Sequence, residues 1–258
     1  MTPAAPRIVS LVPSLTELLF ALGLGPNVVG RTGFCVHPKD AVRAVPKVGG
    51  TKSVDVARVI ALAPTHLVVN VDENERPTVD LLAAHVPEAV VTHPCTAIDT
   101  LDLFERFGRA FDRTAQAARL AGLWRDAHAM TRAGEWRALD VHYLIWKDPW
   151  MTVSRDTYIA DMLAQVGLRV RVPPGATRRY PEIDWSATPP ATADLVLFSS
   201  EPYRFRERDA RAFAREHGIA AERCMTIDGE MTSWYGPRAI EGLRYRARLR
   251  EQSGARLG

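Results

Sequence analysis

The chain has 258 residues, 47% of them hydrophobic and 24% charged, with no low-complexity tract, heptad repeat or long run of like charge. That composition belongs to a folded globular protein, with no coiled coil and no disorder expected outside the ends. A net charge of +3 with Lys and Arg interspersed among Asp and Glu leaves no basic stripe to track phosphates, so no nucleic acid is expected, and no stretch approaches the roughly 18 to 20 apolar residues that membrane insertion needs.

Residues 7–12 read as a strand running into Pro13-Ser14-Leu15-Thr16-Glu17, where Ser14 and Glu17 have the spacing of a capping box. The helix that follows sets Leu15, Leu18, Leu19 and Leu22 on one face and stops at Gly23, a residue suited to a left-handed C-cap. Next come a short strand over 28–31, a helix over 54–62 ended by Pro64, a strand over 66–71, a polar turn over 72–76, another helix, and a strand over 89–92. Two helices, over 99–111 and 113–132, follow with no strand between them. Alternation resumes with a strand over 141–146, a helix over 156–166, a strand over 194–199, a helix over 206–217 and a strand over 223–228. A last helix runs from 237 or 238 to 250, with Arg244, Arg246, Arg248 and Arg250 expected on a solvated face.

Strands that are almost continuously apolar and alternate with helices imply parallel sheets covered by helices on both faces. The order α/β, helices, α/β implies two small lobes, 1–112 and 134–258. One rigid helix over 113–133, a rod of roughly 30 Å, bridges them. The ligand cleft is expected between the lobes. Residues 1–7 have neither a basic n-region nor an apolar h-region, and three cysteines do not make a disulfide framework, so the expected location is cytoplasmic, or periplasmic if the true start lies further upstream.

In open parallel sheets ligands bind beyond the carboxyl ends of the strands, which directs attention to the residues after each one. These are Pro13-Ser14, then residues 32–38 with Cys35 and His37, 70–74 with Glu73 and Asn74, and 93–95 with His93 and Cys95. In the second half they are residues 147–151, following Trp146 and including Trp150, then 199–203 with Tyr203, and 228–236 with Glu230, Trp234 and Tyr235. So many amphipathic rings suit a flat organic ligand with polar edges, or else each ring packs its own loop. Cys35, His37, His93 and Cys95 carry zinc-ligand chemistry, but a Cys-x-His pair points to opposite sides of an extended segment, and a buried cysteine also serves as a small hydrophobe. Gly49-Gly50-Thr51-Lys52 lacks the Gly-Lys-Ser/Thr order of a nucleotide phosphate loop, although Lys52 offers a cation to an anionic ligand group. Asp72, Glu73 and Asn74 either cap the next helix or face Lys52. No nucleophile elbow, dinucleotide fingerprint or His-Glu-x-x-His motif is present.

The segments Ile8-Val9-Ser10-Leu11-Val12-Pro13-Ser14-Leu15-Thr16-Glu17-Leu18, Val29-Gly30, Val48-Gly49-Gly50 and Ile60-Ala61-Leu62-Ala63-Pro64-Thr65-His66-Leu67-Val68-Val69 resemble the substrate-binding proteins of vitamin B12 and siderophore ABC importers, the helical-backbone metal receptors. Within that superfamily, Phe34-Cys35-Val36-His37-Pro38, Asp72-Glu73-Asn74, residues 144–151 and Ser233-Trp234-Tyr235-Gly236 mark a subgroup. The resemblance implies two lobes with a rigid connecting helix, and capture without turnover of a corrinoid or other metal chelate. It also implies an importer permease as partner if the chain is exported; a corrinoid held in the cleft would find a metal-ligating imidazole in His37 or His93, where His37 departs from the family's aromatic residue. The other class of function is a cytoplasmic enzyme with Cys35 as nucleophile and His37, His93 or Glu230 as base.

Overall fold

The computed structural model describes residues 5–257. Part of the segment read as lacking a secretion leader, residues 1–4, lies outside that range. In chain order the strands and helices are β1 (Ile8–Ser10), α1 (Pro13–Ala21), β2 (Val28–Arg31), α2 (Val56–Ala61), β3 (His66–Asn70), α3 (Arg76–Ala83), β4 (Glu88–Thr92), α4 (Asp99–Ala110) and α5 (Thr114–Arg132). They continue with β5 (Leu139–Leu144), α6 (Tyr158–Ala164), β6 (Leu168–Val170), β7 (Leu195–Ser199), α7 (Glu207–Glu216), β8 (Cys224–Ile227), α8 (Gly229–Ser233) and α9 (Arg238–Leu257).

The strands form two four-stranded sheets with the orders β2-β1-β3-β4 and β6-β5-β7-β8, and every pairing is parallel. Numbered within each half, both sheets have the order 2-1-3-4. Each therefore has one topological switch point, between β1 and β3 and between β5 and β7, where the crossovers diverge to leave a crevice at the carboxyl ends. The chain divides into two compact units. One comprises residues up to Pro94, Asp99–Trp124 and Tyr235–Arg238, and the other Cys95–Ile98, Arg125–Trp234 and residues from Ala239 onward. The division falls inside α5, after Trp124.

The predicted α/β class with parallel sheets is observed, and side-chain alternation along the strands explains it. In the first unit Val9, Leu11, Leu67 and Val69 pack with Val59 of α2 and Leu82 of α3. The intervening Ile8 and Val68 are buried too, so both faces of the sheet are covered. In the second unit Leu139, Val141, Tyr143, Leu195 and Leu197 pack with Leu163 of α6 and Leu249 of α9. Leu144, Val196 and Phe198 point the other way, onto Ala210, Phe213 and Ala214 of α7. Among the described residues no helix is long and apolar enough to cross a membrane.

Four local expectations need correction. The capping box at α1 does not form: Pro13 occupies the first helical position, where its missing N–H leaves no donor wanting, Val12 precedes it without a side-chain cap, and Glu17 binds Arg238 instead. Strand β6 was not foreseen, because a three-residue edge strand with exposed Arg169 at its centre gives no apolar run. The short α8 was likewise missed. Finally, the arginines of α9 do not form one solvated face. Arg246 and Arg250, one turn apart, are buried, and Arg250 donates to the Arg137 carbonyl at 2.7 Å. Gly23 does take the predicted left-handed conformation, with φ +78°.

Candidate functional site

The loop after β2 is organised by a buried cation. Arg31 donates to the carbonyls of Val42, Thr32 and Cys35 at 3.0–3.1 Å, which folds residues 32–45 back on themselves. This turns the Cys35 thiol inward, within 3.0 Å of the Thr16 hydroxyl and 3.2 Å of the Thr32 hydroxyl, with no solvent exposure. Burial pushes the thiol pKa up more than those hydroxyls lower it, so the thiolate that nucleophilic chemistry needs is disfavoured. A thiol placed in this way counts against the Cys35 enzyme reading. The same fold turns Phe34 outward, 63% exposed, with Val36 exposed and His37 partly so.

The loop after β3 is committed largely to structure. Asn74 is buried: its amide donates to the carbonyls of Leu11 at 3.3 Å and Thr51 at 3.0 Å, and its oxygen accepts from the Asn70 amide at 2.8 Å. Asn74 therefore fastens the 49–54 turn to the end of β1, and it is not poised to meet a ligand. Lys52 is exposed and lies 3.9 Å from Glu75, not against Asp72 or Glu73. Neither of those carboxylates caps α3, whose N-cap is Glu75 without a side-chain bond. Asp72 instead lies 3.6 Å from His93 at the end of β4, and Glu73 accepts a 2.7 Å bond from the buried Tyr235 hydroxyl. Burial and the Glu73 carboxylate raise the Tyr235 pKa, so it stays a neutral donor. His93 also lines a pocket of about 200 Å³ with Pro94, Asp99, Asp102, Leu103 and Arg106.

Cys35, His37, His93 and Cys95 do not assemble into a metal site. Among the described residues no group of three or more His, Cys, Asp or Glu side chains is placed to hold an ion. Cys35 faces the core of the first unit, and Cys95, in the second, lies 3.8 Å from Arg179.

In the second unit the aromatic loops divide into two kinds. Trp150 is a packing residue, stacked on Phe205 with centroids 5.8 Å apart and set edge-on to Phe213, Phe198 and Trp185. The Lys147 ammonium lies 5.8 Å from its ring. Trp146 is 40% exposed and meets only Tyr203 edge-on, at 5.6 Å, among the ring contacts observed. Trp234 is buried and donates to Glu201 at 2.9 Å, and Glu230 beside it is partly exposed. The loops after β7 and β8 are joined where the Ser200 hydroxyl accepts from the Gly229 amide at 2.9 Å, and the Tyr143 hydroxyl of β5 donates to Ser199 at the end of β7 at 3.0 Å. Prolines following His37, Asp148 and Glu201 have cis peptide bonds. Glu201 and Arg246 were missed from sequence. Only the placement of Glu201 in a strand-end loop signalled it, and nothing in the one-dimensional pattern signalled Arg246.

Residues 8–221 match the family model described as "Periplasmic binding protein". The chain belongs to that family. Among curated relatives, the uncharacterized ABC transporter substrate-binding lipoprotein YvrC of Bacillus subtilis is 52% identical over 58 residues, 22% of this chain and 18% of the relative. The vitamin B12-binding protein of Photorhabdus laumondii is 29% identical over 119 residues, 46% of this chain and 43% of its own. The matched segments thus span less than half of these relatives' lengths. Among solved structures, the periplasmic vitamin B12 binding protein BtuF of Vibrio cholerae aligns with a TM-score of 0.82 at 15% identity, over 97% of this chain and 98% of its own. The periplasmic heme-binding protein RhuT from Roseiflexus sp. aligns with a TM-score of 0.80 at 20% identity, over 99% and 100%. At such identities the likeness is one of fold. The family match bears out the resemblance drawn from residues 8–69, and this periplasmic binding protein family member shares its fold with proteins named for binding vitamin B12 and heme.

Proposed function

We propose that the chain captures a metal chelate of the corrinoid or heme type and passes it unchanged to an ABC importer permease. The observation that carries this reading is the exposure of Phe34 and Trp146, two large apolar side chains at the carboxyl ends of strands in separate sheets. Exposed rings in such loops gain by covering a flat apolar ligand, each worth on the order of 1–2 kcal/mol at 25 cal/mol per Å² buried. His93, beside Asp72, is the imidazole assigned to the chelated metal, since a carboxylate orients and strengthens such a ligand. His37 is the second candidate.

Isothermal titration with cyanocobalamin, hemin and a ferric hydroxamate chelate tests the proposal. It expects saturable one-to-one binding of at least one of them, weakened by Phe34→Ala and by Trp146→Ala. Binding that neither substitution alters would refute the assignment of these loops.

A further inference from the structure

Helix α8 has five residues, too few to hold itself in water, and its polar groups are tied one by one. At its start Asp228 accepts from the Met231 amide at 3.1 Å, and the Asp228 amide donates to the Tyr245 hydroxyl at 2.9 Å. The Asp228 carbonyl takes the Thr232 hydroxyl at 2.8 Å, that of Gly229 the Ser233 hydroxyl at 2.8 Å, and that of Glu230 the Trp234 amide at 3.1 Å. The Met231 carbonyl is different, because its donor comes from another element: Arg246 Nη1 of α9, at 2.5 Å.

Arg246 is wholly buried, its Nη2 lies 3.4 Å from the Met162 sulfur, and its Nε has no hydrogen-bond partner. Tyr143, Tyr158, Tyr245 and the Asp161 carboxylate surround its charge, and burial lowers its pKa to about 10. A guanidinium so sparsely bonded carries a desolvation cost that an apolar side chain of the same volume would avoid. What the charge supplies is a donor at the carboxyl end of α8, where the helix dipole favours a cation. Gly242, one turn earlier on α9, makes the approach possible. A Cβ there would lie 2.3 Å from the Met231 oxygen and 3.2 Å from Arg246 Nη1. One residue fixes this carbonyl by attraction, the other by lacking a side chain.

We propose that Arg246 and Gly242 are positioning residues that set where α8 presents the partly exposed Glu230 to the ligand. This rests on the proposed capture function and adds Glu230, in the loop after β8, to the residues that meet the ligand. The test uses the full chain carrying Arg246→Met, Arg246→Lys or Gly242→Ala. It measures the thermal midpoint, hydrogen exchange of the 229–234 amides, and titration with cyanocobalamin and hemin. Arg246→Met is expected to keep the midpoint within about 4 °C or raise it. It should speed exchange locally over 229–234 and weaken whichever probe the unsubstituted protein binds by about tenfold. Arg246→Lys should recover most of both losses, and Gly242→Ala should reproduce them. Wild-type exchange over 229–234 in Arg246→Met would overturn the proposal. So would a fall in stability spread over the whole chain, or faster local exchange with unchanged affinity. If Arg246→Met does not fold, Gly242→Ala decides the matter on the same readouts. A wild-type protein that binds neither probe removes the functional reading, while local exchange still shows whether Arg246 holds α8.

Discussion

Cys35 has the element a nucleophile needs, but Arg31 and two threonine hydroxyls fix it facing inward. Under native conditions iodoacetamide should therefore label Cys95, which is partly exposed, well ahead of Cys35, as peptide mass mapping would show; rapid native labelling of Cys35 would revive the enzyme reading. His142, on β5, is buried against Trp185 and near Arg171, and desolvation first and that guanidinium second lower its pKa to about 4. Since the unfolded chain holds this proton up to its ordinary value near 6.5, the contribution is fully present above that pH and is lost as pH falls towards 4, by up to about 3 kcal/mol. Urea unfolding from pH 7.5 to 4.5 should show that slope, flattened in His142→Gln; an equal slope in the variant would remove His142 as its source. Neither behaviour was visible in sequence, because each depends on what the fold packs around the group.

At the scale of elements, the sequence carried what periodicity can encode. Strand β2 falls on the predicted 28–31 because Val28 and Val29 sit between an obvious helix stop and a polar loop. Strand β6 and helix α8 escaped because three and five residues are too few to show a period, and tertiary bonds hold them instead. The aromatic loops failed to separate for a related reason. Trp146 and Trp150 are four residues apart with similar neighbours in sequence, yet one meets Tyr203 at the surface and the other enters the Phe198, Phe205 and Phe213 cluster. Trp150→Ala should lower unfolding stability by about 3–5 kcal/mol, whereas Trp146→Ala should change it by less than about 1 kcal/mol while weakening the ligand. Denaturant melts of the two variants separate these roles, and equal losses would contradict the division.

At the scale of the whole molecule, the two sheets repeat one strand order, and the residues assigned to binding lie in the loops at their carboxyl ends. The family and the doubled α/β architecture were legible in the sequence, since strand-end motifs and apolar strands survive where overall identity is low. The roles of individual site residues were not, because Asn74, Trp150 and Tyr235 use their polar or aromatic groups on the protein itself. Capture without turnover is the role proposed for the molecule. The most direct measurement is native mass spectrometry of the full chain incubated for hours with a stoichiometric amount of cyanocobalamin or hemin. A one-to-one complex whose mass equals protein plus intact ligand is expected, with the ligand recovered unchanged. A chemically altered ligand, or no complex with either probe, would contradict it.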